Sequence, residues 1–79
     1  MNLLDKIRYL MTHGYSVTFV NAPYENICIN VKKCSFNMIQ YVSKEAPEEV
    51  FVTCLDKLGK EISIKEQAMN IFIEKGTDI

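Results

Sequence analysis

The chain predicts an α+β fold, a three-stranded antiparallel sheet flanked by helices in the order αβββαα, as one domain over residues 1–79. Three observations carry that expectation. Ile27, Ile29 and Val31 alternate with Cys28, Asn30 and Lys32, the clearest period-two pattern in the sequence. Leu3, Leu4, Ile7, Leu10 and Met11 recur at helical spacing, so the opening segment reads as one amphipathic helix. After the strands, an acidic start containing Pro47 leads back into helical spacing.

The first helix is expected over residues 3–13. Asn2 can cap it, and Asp5 in its first turn complements the helix dipole. Lys6, Arg8 and Thr12 face water. His13 suits a helix C-terminus, and Gly14 can take the left-handed conformation that turns the chain into the first strand. That strand, residues 15–20, puts Tyr15, Val17 and Phe19 on one face. Residues 21–26 hold Pro23 and two asparagines and read as a reversal. The second strand is residues 27–32 and the third residues 36–42, with Phe36, Met38 and Val42 toward the core. Ile39 and Tyr41, with Val20 and Cys28, leave a partly apolar second face, to be covered by a helix of the same chain, by a partner protein or by a second copy.

From Ser43, small, acidic and proline residues mark a helix start, and Val50, Phe51, Cys54, Leu55 and Leu58 continue it until Gly59. A competing arrangement makes residues 50–53 a strand that turns through residues 56–60 into residues 61–64, a β-hairpin before the last helix. The last helix opens on Ser63 and Glu66 as a capping box and would bury Ile64, Ala68, Ile71 and Phe72, with Gly76 ending it. Met69 and Ile73 extend the apolar surface into a second contact or a docking stripe.

Composition narrows the function. Nine basic and ten acidic residues give a net charge of -1, no footprint for nucleic acid or an anionic membrane. Lys32, Lys33 and Lys44 could flank Tyr41 as a base-stacking platform, but the charge balance and the acidic run after the sheet argue against direct nucleic-acid binding. Cys28, Cys34 and Cys54 are an odd set without C-x-x-C spacing and read as reduced, mostly buried thiols of a cytosolic protein, with a Cys28–Cys34 bridge as the lesser alternative. No stretch has the length of a membrane span or the apolar core of a signal peptide, so the chain is expected to stay in the cytoplasm.

Catalytic chemistry is not expected, nor a metal or cofactor. His13 has no partner nucleophile or carboxylate in the pattern, the cysteines sit in apolar surroundings that raise their pKa, and adjacent Glu48 and Glu49 point apart on a helix. One histidine and three scattered cysteines do not make a zinc set, and three glycines make no phosphate cradle. What remains is an interaction surface: Tyr24 at a turn, flanked by Glu25 and Asn26, suits an interface anchor, or folds over the core edge.

The opening Met1-Asn2-Leu3-Leu4-Asp5-Lys6-Ile7-Arg8, then Gly14-Tyr15-Ser16-Val17-Thr18, residues 29–31 and Gln40-Tyr41-Val42-Ser43 make the first half of the chain resemble small phage-encoded anti-CRISPR proteins, inhibitors of an RNA-guided nuclease. Members of that family are typically strongly acidic and occupy the site where the nuclease reads duplex DNA; the net charge of -1 departs from this. The resemblance implies a phage or mobile-element protein that blocks a host defence protein, a CRISPR effector nuclease foremost, by direct binding in the host bacterial cytoplasm. Tyr24, Glu25, Glu45, Glu48 and Glu49 are the partner-binding residues it implies, as exposed aromatic and acidic groups. A second reading is a structural module that self-associates as a homodimer, through the second sheet face or the Met69 and Ile73 stripe.

Overall fold

The computed structural model describes residues 1–76, with side-chain surroundings through residue 71. Its first element, α1 (Leu3–Thr12), is closed at both ends by the residues the sequence nominates. Asn2 Oδ1 accepts the Asp5 N–H at 2.8 Å. At the other end the Tyr15 N–H donates to the Leu10 carbonyl at 2.9 Å and the Gly14 N–H to the Met11 carbonyl at 3.1 Å. These two bonds form a Schellman closure, and Gly14, at φ 88°, supplies the left-handed residue it requires.

Three strands follow, β1 (Ser16–Ala22), β2 (Asn26–Lys33) and β3 (Phe36–Ser43), paired antiparallel in the order β1-β2-β3. The register pairs Phe19 with Ile29 and Ile29 with Gln40, so each row crosses the whole sheet. β2 to β3 is a two-residue turn with φ 56° at Cys34. β1 to β2 is a three-residue turn in which Tyr24 and Glu25 both have positive φ, 62° and 58°. Neither is glycine or asparagine, so this tip carries side chains where backbone strain disfavours them.

The last element, α2 (Glu48–Gly76), is a single helix of 29 residues. Its Phe51, Cys54, Leu55, Leu58 and Ile62 join Leu10, Ile29, Val31 and Val42 in one buried core, in which Ile29, Val31, Leu55 and Ile62 have no exposed surface. These α2 positions recur at three and four, so one stripe of the helix meets the sheet. α1 lies beside it and runs the same way: Lys6 pairs with Asp56, the Leu3 N–H donates to Glu48 Oε1 at 3.2 Å, and Leu10 packs on Gly59.

The α+β class and the order of helix, three strands and C-terminal helix stand as the sequence predicts, but the two C-terminal helices are one. Gly59 does not stop α2, because it is buried where α1 crosses: a Cβ there would lie 3.3 Å from Leu10 Cδ2, and the Tyr15 hydroxyl donates to its carbonyl at 3.4 Å. The glycine serves close approach of two helices, not chain reversal. Ser63 and Glu66 consequently sit inside a helix, where a capping box has no free N–H groups to satisfy; Glu66 instead pairs with Lys33 at 3.2 Å. The hairpin alternative over residues 50–64 is overturned by the same continuous helix.

Burial departs from the sequence reading in three places. Ile64 and Ile71 are 66% and 53% exposed and Ala68 is exposed, because continuing the helix through Gly59 fixes the phase of its buried stripe at Leu58 and Ile62. Val50 on α2 and Leu4 and Met11 on α1 are exposed as well, since each helix meets the rest of the molecule along a narrow line. Phe72 and Ile73 lie outside the residues whose side chains are described. Among the described residues no helix covers the second sheet face: the core on the inner face takes side chains from both helices, and Val20, Ile39 and Tyr41 stay 54%, 50% and 61% exposed on the outer one.

Candidate functional site

Because α1 and α2 run in the same direction and the β1–β2 turn lies at the end where α2 begins, one pole of the molecule collects residues scattered over the sequence. The Lys44 N–H donates to the Glu25 carbonyl at 2.9 Å, tying the connection after β3 to the hairpin tip. The connection is itself shaped by Ser43, whose Oγ accepts the Glu45 N–H at 3.2 Å. Pro47 then accepts the Val50 N–H at 3.0 Å and the chain enters α2 through Glu48 and Glu49. Tyr24, Glu25, Glu45, Glu48 and Glu49 all belong to this pole.

Their roles differ. Tyr24 is 94% exposed, so it extends into solvent and does not fold over the core edge. Glu25 lies 3.9 Å from Lys44 on the open surface, a pair worth a few tenths of a kcal/mol at most by the behaviour of exposed ion pairs. Glu45 is exposed, with its carboxylate available. Glu48 is engaged within the molecule, its Oε1 accepting the first N–H of α1 and so joining the two helix starts. Glu49 borders a shallow groove of about 260 Å³ between α2 and β3, lined also by Gln40, Thr53 and Lys57.

Both helix N-termini meet at this pole, and carboxylates are favoured there by the aligned peptide dipoles. Asp5, in the first turn of α1, adds a fifth carboxylate to the four glutamates, around Lys44. Lys32, Lys33, Lys60 and Lys65 belong to the opposite half, where Lys33 meets Glu66 and Lys65 approaches Met38. The net charge of -1 therefore conceals a polar distribution, acidic at one end and basic toward the other. Asp5 and Lys44 are the members the sequence reading missed as part of the surface. Strand register places Lys44 beside Glu25, and the packing of the α1 start on the α2 start, seen in the bond from the Leu3 N–H to Glu48, brings in Asp5.

Several polar groups elsewhere are committed to structure. A groove of about 590 Å³ between the two helices is lined by Lys6, Tyr9, His13, Tyr15, Lys33 and Lys60, but Lys6 is held by Asp56 and Lys33 by Glu66. His13 Nδ1 lies 2.8 Å from the Tyr9 carbonyl, which can only accept, so that nitrogen carries the proton and the ring is anchored to its own helix. Among the described residues no three histidine, cysteine or acidic side chains gather as a metal set, and no helix is long and apolar enough to cross a membrane.

The cysteines are free and one of the three is buried, not most of them: Cys54 lies on the core face of α2, whereas Cys28 is half-buried on the uncovered outer sheet face and Cys34 is exposed at its turn. Burial pushes the Cys54 thiol above its ordinary value, with Lys57 pulling weakly the other way. The unfolded chain therefore releases this proton first, and stability is expected to fall as pH rises from about 8.5, the ordinary thiol value. Urea unfolding at stepped pH checks this: Cys54→Ala should flatten the decline between pH 8 and 10, and an unchanged slope would assign it elsewhere. Lys33, raised chiefly by its hydrogen bond to Glu66, also loses its contribution with rising pH, but only beyond the ordinary lysine range.

No protein-family model, no curated protein and no solved structure matches this chain.

Proposed function

We propose that the protein is a noncatalytic inhibitor that binds a host defence protein, in the first instance a CRISPR effector nuclease, through its acidic pole. One observation carries the choice of surface: Tyr24, Glu25, Glu45 and Glu49, drawn from the hairpin tip, the β3–α2 connection and the start of α2, converge as exposed groups at one end. An aromatic anchor ringed by carboxylates suits a basic protein surface, and nucleic-acid-binding enzymes present such surfaces along their grooves. The net charge of -1 does not oppose this, since a partner senses the local field of the pole it meets. The inhibitory role and the choice of target are supported by the resemblance of the first half of the chain to anti-CRISPR proteins.

The test is protection of a targeted plasmid in bacteria that express a CRISPR effector together with this protein. The wild-type chain should restore transformation and co-purify with the effector in stoichiometric amount. Tyr24→Ala combined with Glu49→Lys should weaken binding by about 100-fold or more, the loss of an anchor and reversal of a rim charge. Glu48 is left intact because it holds α1. Failure to protect against any effector type, or equal protection by the double variant, would sink the reading.

A further inference from the structure

The outer sheet face has no counterpart in that reading, and its chemistry is unlike the rest of the surface. The register sets out four rows across the three strands: Ala22, Asn26 and Ser43; Val20, Cys28 and Tyr41; Thr18, Asn30 and Ile39; Ser16, Lys32 and Asn37. Lys32, in the last row, is the single charge among these twelve positions, in a chain whose residues are 24% charged. Val20, Cys28 and Tyr41 share one row and Ile39 stands diagonally beside it, giving an apolar centre framed by amides and hydroxyls. A shallow depression of about 530 Å³ runs along the face beside Thr18, Val20, Cys28, Asn30 and Tyr41. Depletion of charge with an aromatic at the centre is the composition of a protein interface.

We infer that this face is the interface of a homodimer, in which two copies of the chain pack sheet against sheet. Three considerations select a second copy. The first is area: three strands about 27 Å long and about 4.8 Å apart make a face of roughly 400 Å², enough for a small, weak interface between two copies and too little for an extensive one.

The second consideration is charge. A strongly charged partner would find nothing on this face to pair with, whereas an identical face meets it without repulsion, Lys32 lying in an end row toward the rim. Asparagine, serine and threonine side chains each donate and accept, so like groups can pair across a two-fold axis. The third is the choice between protein and nucleic acid. A strand of single-stranded nucleic acid needs several stacking rings and a basic track, and here Tyr41 is the one aromatic and Lys32 the one cation. The acidic pole stays free in such a dimer, which presents it twice.

Sedimentation equilibrium of the full chain is the direct test, with a dimer expected at tens of micromolar and above. Tyr41→Glu should raise the dissociation constant by at least about tenfold, and Val20→Lys, on a different strand, should do the same; both sites are exposed in the monomer, so the fold is retained and circular dichroism will check it. Alkylation of Cys28 in a Cys34→Ser background gives an independent readout, because its rate should fall as protein concentration rises through the dimerisation range. A monomer up to about 100 µM, dimerisation unchanged in both variants, or a retarded single-stranded oligonucleotide lost with Tyr41→Glu would each overturn the proposal. The plasmid-protection assay reads the acidic pole through Tyr24 and Glu49, neither of them on the sheet face, so either proposal can fail without the other.

Discussion

Leu55→Ala is expected to lower the unfolding free energy by about 2–5 kcal/mol, the range for truncating a fully buried leucine. Leu55 has no exposed surface and sits on the stripe of α2 that meets Ile29, Val31 and Val42 in the core. The cavity left behind has little means of closing, since the sheet on one side is fixed by two antiparallel ladders and the helix on the other spans its whole length. A chain of 79 residues holds roughly 4–12 kcal/mol of total stability at the usual density per residue. The substitution therefore removes a large share and should bring the urea midpoint down with the slope unchanged. A loss below about 1 kcal/mol would mean that α2 does not pack on the sheet along this stripe.

Lys60→Pro is expected to cost about 3 kcal/mol or more. Lys60 is exposed, so no core contact is at stake, and the effect isolates the backbone. An uninterrupted helix uses the N–H of residue 60 to bond the carbonyl four residues earlier, and proline both removes that donor and crowds the carbonyl. Had Gly59 ended one helix and Ser63 begun another, a proline between them would sit in a connection that tolerates it. Urea unfolding followed by circular dichroism at 222 nm separates the two: a cost under about 1 kcal/mol with full helical signal would restore the two-helix arrangement.

The continuity of α2 also shapes how the molecule presents itself. Twenty-nine residues make a helix of about 43 Å, whereas the eight-residue strands span about 27 Å, so the helix outruns the sheet it covers. The longest dimension is 52 Å and the radius of gyration 14.8 Å, against about 12 Å for a compact domain of this length. The contact between Lys33 and Glu66 marks where the sheet ends. Met69 and Ile71 beyond it are exposed for that reason, and the acidic pole lies at the other extreme of the helix, where the hairpin tip and both helix starts meet.

Local sequence determined the elements whose signals are short-range. Asn2, Asp5 and Gly14 set the ends of α1 through capping bonds made within a few residues. The alternation of Ile27, Ile29 and Val31 set β2 and its faces, and Val20, Cys28, Ile39 and Tyr41 already described a second apolar face. The exposed residues of the acidic pole were legible as types, an aromatic at a turn and carboxylates at a helix start, but not as a cluster.

Tertiary structure decided what depends on residues far apart in the chain. A glycine at helical spacing reads the same whether it ends a helix or admits a neighbour, and only Leu10 crossing at Gly59 makes it the second. Ile64, Ala68 and Ile71 satisfy helical periodicity as well as Leu58 and Ile62 do, yet the sheet can touch one stripe of α2 and ends at Glu66. The pairing of Lys44 with Glu25 likewise follows from strand register, and together with the meeting of the two helix starts it gathers five carboxylates into one pole of a chain whose net charge is -1. Periodicity and capping are properties of neighbouring residues along one backbone, whereas burial, crossing and electrostatic clustering belong to distances that folding alone creates.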